Sequence, residues 1–142
     1  MKEVVRITIK GSSGYGPYDE AYEDRVTISP DSIRYEYIPK VESAKNMPRK
    51  WSYKTTSPAF QELFRKTAAA VEEILSRTEE DFTCDIGMTS FMLQYADKTR
   101  RQNEFFSPAD VFKECFAIIK QMVPGCEEIP TVLMTSDDRS IK

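Results

Sequence analysis

Basic and aromatic side chains occur together between Lys40 and Lys54, and this combination of groups can bind nucleic acid or an acidic protein. Cations can contact phosphates or carboxylates, while aromatic rings can stack on unpaired bases. Trp51 and Tyr53 share one face of an alternating stretch, however, and the simpler interpretation places that face in the core. We therefore treat the segment as a candidate interaction surface, with nucleic acid as the disfavoured ligand. Its candidate residues are Lys45, Arg49, Lys50, Trp51 and Tyr53.

A second basic cluster lies where the sequence predicts the tip of a hairpin, at Asp97–Arg100. Three cations at such a place could contact a phosphate or an acidic partner. Charges at a hairpin tip also keep a sheet edge soluble and discourage its pairing with another chain. The candidate residues of this cluster are Lys98, Arg100 and Arg101.

The glycines at positions 11, 14 and 16 and three acidic clusters are weaker candidates for a ligand site. The glycine spacing matches neither the dinucleotide fingerprint nor the phosphate-binding loop, and an acidic stretch follows it. The acidic clusters at 19–24, 79–81 and 137–138 lack the ligand spacing of a calcium-binding loop. We interpret the glycines as a flexible connection and the acidic clusters as solvated surface.

The absence of histidine restricts the chemistry that this chain could perform by itself. It excludes Ser-His-Asp and Cys-His catalysis within the chain, as well as metal sites with histidine ligands. Three cysteines are present without a C-x-x-C motif, which favours reduced, inert thiols. Carboxylate, lysine, tyrosine or cysteine catalysis stays open, but no such constellation is visible. The sequence therefore indicates no catalytic residue, no metal and no cofactor, and it favours a protein that is not an enzyme.

Length and composition indicate one globular domain. The chain has 142 residues, 40% hydrophobic and 30% charged, with a net charge of −3. This balance is typical neither of a disordered chain nor of a membrane-embedded one, and it provides no overall field for nucleic acid. We expect a single domain over residues 1–135, a flexible tail over 136–142, and a cytoplasmic location.

Alternating and helical periodicities predict the order β-β-β-β-α-β-β-α. Ser-Pro-Ala occurs at 57–59 and 107–109, and each copy precedes an amphipathic stretch, as expected for a capping Ser before a first-turn Pro. Whether the two hairpin-helix units are a duplication stays open. The run Val132–Met134 is a further strand candidate. The predicted fold is α+β: an antiparallel sheet of about six strands with two helices packed on one face.

The pattern favours a non-catalytic binding or regulatory module that recognises another macromolecule, with a protein as the expected partner and no membrane association. The open side of the sheet is the expected contact surface, strengthened if Tyr35, Tyr37, Trp51 and Tyr53 reach it. The alternatives are a small-molecule binder or carboxylate-dependent enzyme with a pocket between sheet and helices, and a nucleic-acid protein using Lys40–Lys54. Formation of a homo-oligomer through an edge strand is a further expectation.

Overall fold

The predicted α+β architecture is confirmed by a computed structural model, which describes residues 3–12, 21–42, 47–76, 88–105, 109–125, 127 and 129–135. The elements follow the predicted chain order. The strands are β1 (Val4–Ser12), β2 (Tyr22–Ser29), β3 (Ser32–Pro39), β4 (Arg49–Lys54), β5 (Thr89–Tyr95) and β6 (Arg100–Phe105), and the helices are α1 (Pro58–Leu75) and α2 (Lys113–Lys120).

All six strands join one antiparallel sheet in the order β4-β3-β2-β1-β5-β6. The turn from β2 to β3 contains Pro30, and the Ser29 hydroxyl donates to Asp31 Oδ1 at 2.9 Å. The turn from β5 to β6 places Lys98 at φ 73°, and the Asp97 carboxylate accepts the backbone N–H of Thr99 at 3.0 Å. Each turn is therefore built by a short side chain that bonds to its neighbours.

Alternation along the strands creates one apolar face, and the helices cover it. Ile7 and Ile9 of β1, with cross-strand partners on β2 and β5, are completely buried. Phe91 packs against three further rings, those of Phe105, Phe112 and Phe116, with centroid distances between 4.9 and 6.1 Å. This phenylalanine cluster joins the sheet to α2 and forms the centre of the core.

Two details of the helices differ from the prediction. Ser57 does precede α1, with Pro58 in its first turn, but its side chain makes no capping hydrogen bond. The Ser57 backbone N–H instead donates to the Thr55 hydroxyl at 3.1 Å. The second helical stretch begins as a 3₁₀ turn, Ala109–Phe112, before α2 itself, and Ser107 lies outside the described residues.

The prediction of a C-terminal strand at Val132–Met134 is wrong, because Thr131–Leu133 forms a 3₁₀ turn. Leu133 N–H donates to the Pro130 carbonyl at 3.0 Å, which closes the turn locally. The N–H of Val132 donates to a buried side chain of β2 rather than to a strand edge. The predicted tail, 136–142, lies outside the described residues.

Candidate functional site

The side of the sheet opposite the helices, here called the open face, is rich in exposed cations. Every second residue of a strand points to this side, and the strand registers show which residues of neighbouring strands share it. Seven basic side chains of the six described strands occupy it, and all of them are exposed: Arg6, Lys10, Arg25, Arg34, Lys50, Lys54 and Arg100. Three carboxylates accompany them: Glu23, Glu36 and Glu104. A chain with a net charge of −3 thus has a basic surface on one side of its sheet.

Two depressions adjoin the open face of the described residues. The larger, of about 520 Å³, spans strands β2 to β4 and is lined chiefly by Arg25, Thr27, Arg34, Glu36, Lys50 and Ser52. The smaller, of about 330 Å³, is lined by residues as far apart in the sheet as Ile38 of β3 and Gln102 of β6. Thr8 and Ser90, each 5% exposed, lie on the two central strands β1 and β5.

Two carboxylates of the open face already have cationic partners. Arg25 Nη2 lies 2.7 Å from Glu36 Oε1, across the β2–β3 pair, and Lys40 Nζ lies 3.9 Å from Glu23. Within the described residues, Arg34 and Lys50 make no ion pair, although both line the larger depression. These two cations can therefore bind an external anion without breaking an existing pair.

A buried carboxylate lies on the helix-covered side of the same strands. Asp24 of β2 is only 2% exposed. Its Oδ2 accepts the Tyr35 hydroxyl at 2.9 Å and the Val132 N–H at 2.9 Å, while Oδ1 has no hydrogen-bond partner. Burial raises the pKa of Asp24 to about 6, against the opposing effect of these two hydrogen bonds and the nearby Arg49 charge.

The contacts of Asp24 attach the C-terminal 3₁₀ turn to the sheet. The Tyr35 hydroxyl, which donates to Asp24, also accepts the Thr131 N–H at 3.2 Å. Burial raises the pKa of Tyr35, so its hydroxyl stays protonated and able to donate. Because Asp24 has so little exposed surface, we assign this network a structural role rather than general acid-base catalysis.

The predicted site residues are divided between the two sides of the sheet. Lys50 and Arg100 lie on the open face, at opposite edges of the sheet. Lys98 is exposed in the β5–β6 turn, and Lys45 lies outside the described residues. The remaining candidates, Arg49, Trp51, Tyr53 and Arg101, lie on the helix-covered side. The two basic clusters of the sequence therefore do not form one surface.

The aromatic patch expected for the open face is not there. Tyr35 and Tyr37 are buried on the helix-covered side, and Trp51 packs beside Tyr35 with a ring-centroid distance of 6.0 Å. Tyr53, although 41% exposed, packs against Phe60 of α1 with a ring-centroid distance of 6.3 Å. No aromatic side chain of the six strands lies on the open face.

Sequence reasoning missed Arg25 and Arg34 as site residues and treated Asp24 as part of a solvated acidic cluster. The signal was available, because Asp24 shares the alternation phase of the buried Val26 and Ile28. Arg25 and Arg34 occupy the opposite phase in adjacent strands. If the alternation had been followed through all strands, Arg25, Arg34 and Lys50 would have been assigned to the same side of the sheet.

Several remaining features restrict other kinds of site. In the described part of the chain, no group of three or more potential metal-ligating side chains occurs. Among the same residues, no helix combines the length and apolar character needed to cross a membrane. Cys115 of α2 is buried, whereas Cys84, Cys126, Gly14 and Gly16 lie outside the described residues. Neither a protein-family model nor a curated protein sequence matches this chain.

Proposed function

We propose that the chain is a non-catalytic binding module whose open face engages an acidic segment of another protein. The observation that carries this proposal is the larger depression of the open face, where exposed cations outnumber carboxylates among the described residues. Arg34 and Lys50 lie within its larger depression and have no partner among the described residues that would neutralise them. A cytoplasmic location is part of the same proposal.

The side-chain chemistry favours a protein over a nucleic acid as the ligand. Single-stranded nucleic acid is usually bound by cations together with aromatic rings on which bases stack. In β4 these groups point to opposite sides, since Lys50 lies on the open face and Trp51 and Tyr53 on the other. A depression lined by cations, a serine and a threonine instead suits the carboxylates and backbone of an extended acidic segment.

One groove supports the alternative of a small-molecule binder. It measures about 410 Å³ and lies between β4, the start of α1 and the residues after α2. Its lining includes Tyr53, Phe60, Leu63 and Met122, so an apolar ligand would suit it. A metabolite that raises the melting temperature of the wild type and of Arg34→Glu/Lys50→Glu, but not of Leu63→Glu, would favour this alternative.

Selection of displayed random 12-residue peptides tests the proposed function over many partner sequences at once. We expect the wild-type protein to enrich peptides rich in Asp and Glu, and Arg34→Glu/Lys50→Glu to lose that enrichment. The matched control is Lys66→Glu/Lys113→Glu, which makes the same charge change on the exposed sides of the helices. Enrichment without acidic residues contradicts the proposal. Salt-sensitive binding of single-stranded RNA or DNA, lost in the open-face variant, would favour the nucleic-acid alternative.

Self-association through an edge strand is a separate proposal, because it uses the strand backbone rather than the side chains of the open face.

A further inference from the structure

The outer edge of β6 is accessible to another strand. Arg100, Gln102 and Glu104 on the open face and Arg101 and Asn103 on the other side are all exposed. The exposure of Arg101 and Asn103 shows that α1 does not overhang this edge, although it contacts β6. An exposed edge of this kind presents unpaired N–H and C=O groups to solvent.

The pattern of backbone hydrogen bonds between β5 and β6 shows which backbone groups of β6 point away from the sheet. Tyr95 N–H donates to the Thr99 carbonyl at 2.9 Å, so these opposite residues form a hydrogen-bonded pair. Such pairs alternate along antiparallel strands, and Arg101 and Asn103 therefore bond to β5. The groups of Arg100, Gln102 and Glu104 point away from the sheet. In agreement, Glu104 N–H donates to the Asn103 side chain at 2.9 Å rather than to β5.

We propose that a second copy of the chain pairs with this edge, β6 against β6, antiparallel and with the Gln102 residues of the two copies opposite each other. In this register Arg100 of each copy faces Glu104 of the other, so two ion pairs of opposite charge form by symmetry. The register also pairs all the outward backbone groups of Arg100, Gln102 and Glu104. The Asn103 side chain has to release the Glu104 N–H for this pairing.

The other edge of the sheet lacks this self-complementarity. Thr55 N–H donates to the Asp31 carbonyl at 2.9 Å, and alternation then turns the groups of Lys50, Ser52 and Lys54 outward on β4. The equivalent register, centred on Ser52, would place Lys50 of each copy against Lys54 of the other. Like charges directly opposite each other disfavour pairing. The charge pattern therefore selects β6 as the self-pairing edge.

The resulting dimer would have one continuous sheet, with the helices of both copies on one side and both open faces on the other. This geometry follows because the facing residues lie on the same side of the sheet in the two copies. The dimer does not rest on the proposed recognition of acidic segments, and either can fail without the other.

Charge exchange at the two paired positions tests the dimer by sedimentation equilibrium over a range of concentrations. We expect the wild type to dimerise, and Arg100→Glu alone or Glu104→Arg alone to weaken dimerisation at least about tenfold, since each places like charges opposite each other twice. We expect Arg100→Glu/Glu104→Arg to restore dimerisation. A mixture of the two single variants should form a heterodimer, because every facing pair then has opposite charges.

A proline scan separates edge pairing from other modes of association. Gln102→Pro removes an outward N–H and leaves the β5–β6 hydrogen bonds intact, so we expect a folded monomer. Ser52→Pro makes the same change at the β4 edge and should remain dimeric. Circular dichroism checks that both variants are folded. A monomeric wild type, or a dimer that persists in Gln102→Pro and in Glu104→Arg, would overturn the proposal.

Discussion

The same strands place charged side chains in opposite environments on the two sides of the sheet. On the helix-covered side, the charged Asp24 is buried and holds the C-terminal 3₁₀ turn through Tyr35 and Val132. On the open face, Arg25 and Arg34 belong to adjacent strands but remain exposed at a depression. Since successive side chains alternate between these environments, one position along a strand separates the buried charge of Asp24 from the exposed charge of Arg25. The comparison shows that charges adjacent in the sequence can lie on opposite sides of the sheet. The role of each charge therefore depends on the side to which it points.

The largest expected contrast concerns the neighbours Phe91 and Met92 of β5, which lie on opposite sides of the sheet. Phe91 is completely buried in the phenylalanine cluster, so Phe91→Ala should lower the free energy of unfolding by about 3–5 kcal/mol. Met92→Ala, on the half-buried open side, should cost less than about 1.5 kcal/mol. Urea denaturation of both variants measures the contrast, and equal losses would contradict the assignment of the two sides.

The next effect concerns the sign of the pH dependence of stability that Asp24 causes. Its pKa rises from 3.8 to about 6 on folding, so between these values the folded protein binds a proton that the unfolded chain has released. Stability therefore falls as the pH rises through this range, and the loss is complete above pH 6. From the shift we expect a loss of about 3 kcal/mol.

Asp24→Asn removes this titration while keeping an oxygen that can accept the Tyr35 hydroxyl and the Val132 N–H. The stability of Asp24→Asn relative to that of the wild type should be about 2–3 kcal/mol higher at pH 8 than at pH 4, because a small part of the wild-type loss has already occurred at pH 4. Urea denaturation at the two pH values measures the difference, with Glu114→Gln, at an exposed carboxylate of α2, as the control. The same difference at both pH values would show that the Asp24 carboxyl titrates normally.

A smaller effect should follow from crowding the space beside Asp24. A Cβ added at Gly11 would lie 2.6 Å from both Asp24 Oδ1 and Val132 Cγ2. Gly11→Ala should therefore destabilise the protein by about 1–3 kcal/mol. At Gly125 an added Cβ meets no atom within 4 Å, so Gly125→Ala is the matched control. If Gly11→Ala leaves the free energy of unfolding unchanged, the 3₁₀ turn is not packed closely on β1.

Sequence periodicity predicted the elements well, because alternating strands and amphipathic helices have strong local signals. The buried stripe of α2, including Cys115, Phe116 and Ile119, was predicted from helical spacing alone. The 3₁₀ turn at Thr131–Leu133 was missed because short apolar runs do not separate strands from turns. Its attachment to the sheet involves Asp24, which is 108 residues from Val132 in the sequence.

The candidate site was only partly predictable, and for a related reason. Local clustering selected Arg49, Lys50 and Arg101, but the site combines side chains of strands that are distant in sequence. Lys50 and Arg34 become neighbours only through the β3–β4 pairing. The larger depression needs side chains of β2, β3 and β4 together, so no single strand encodes it.

The central claim is that the open face, rather than the helical side, binds an acidic segment. Fluorescence anisotropy of a labelled 12-residue Glu-rich peptide, measured against the wild type and both charge variants, tests it most directly. We predict that Arg34→Glu/Lys50→Glu weakens binding by at least about tenfold, since two favourable charge contacts become repulsive. Lys66→Glu/Lys113→Glu, on the helices, should change the affinity by less than about threefold. Equal weakening in both variants, or none in the open-face variant, would contradict the account.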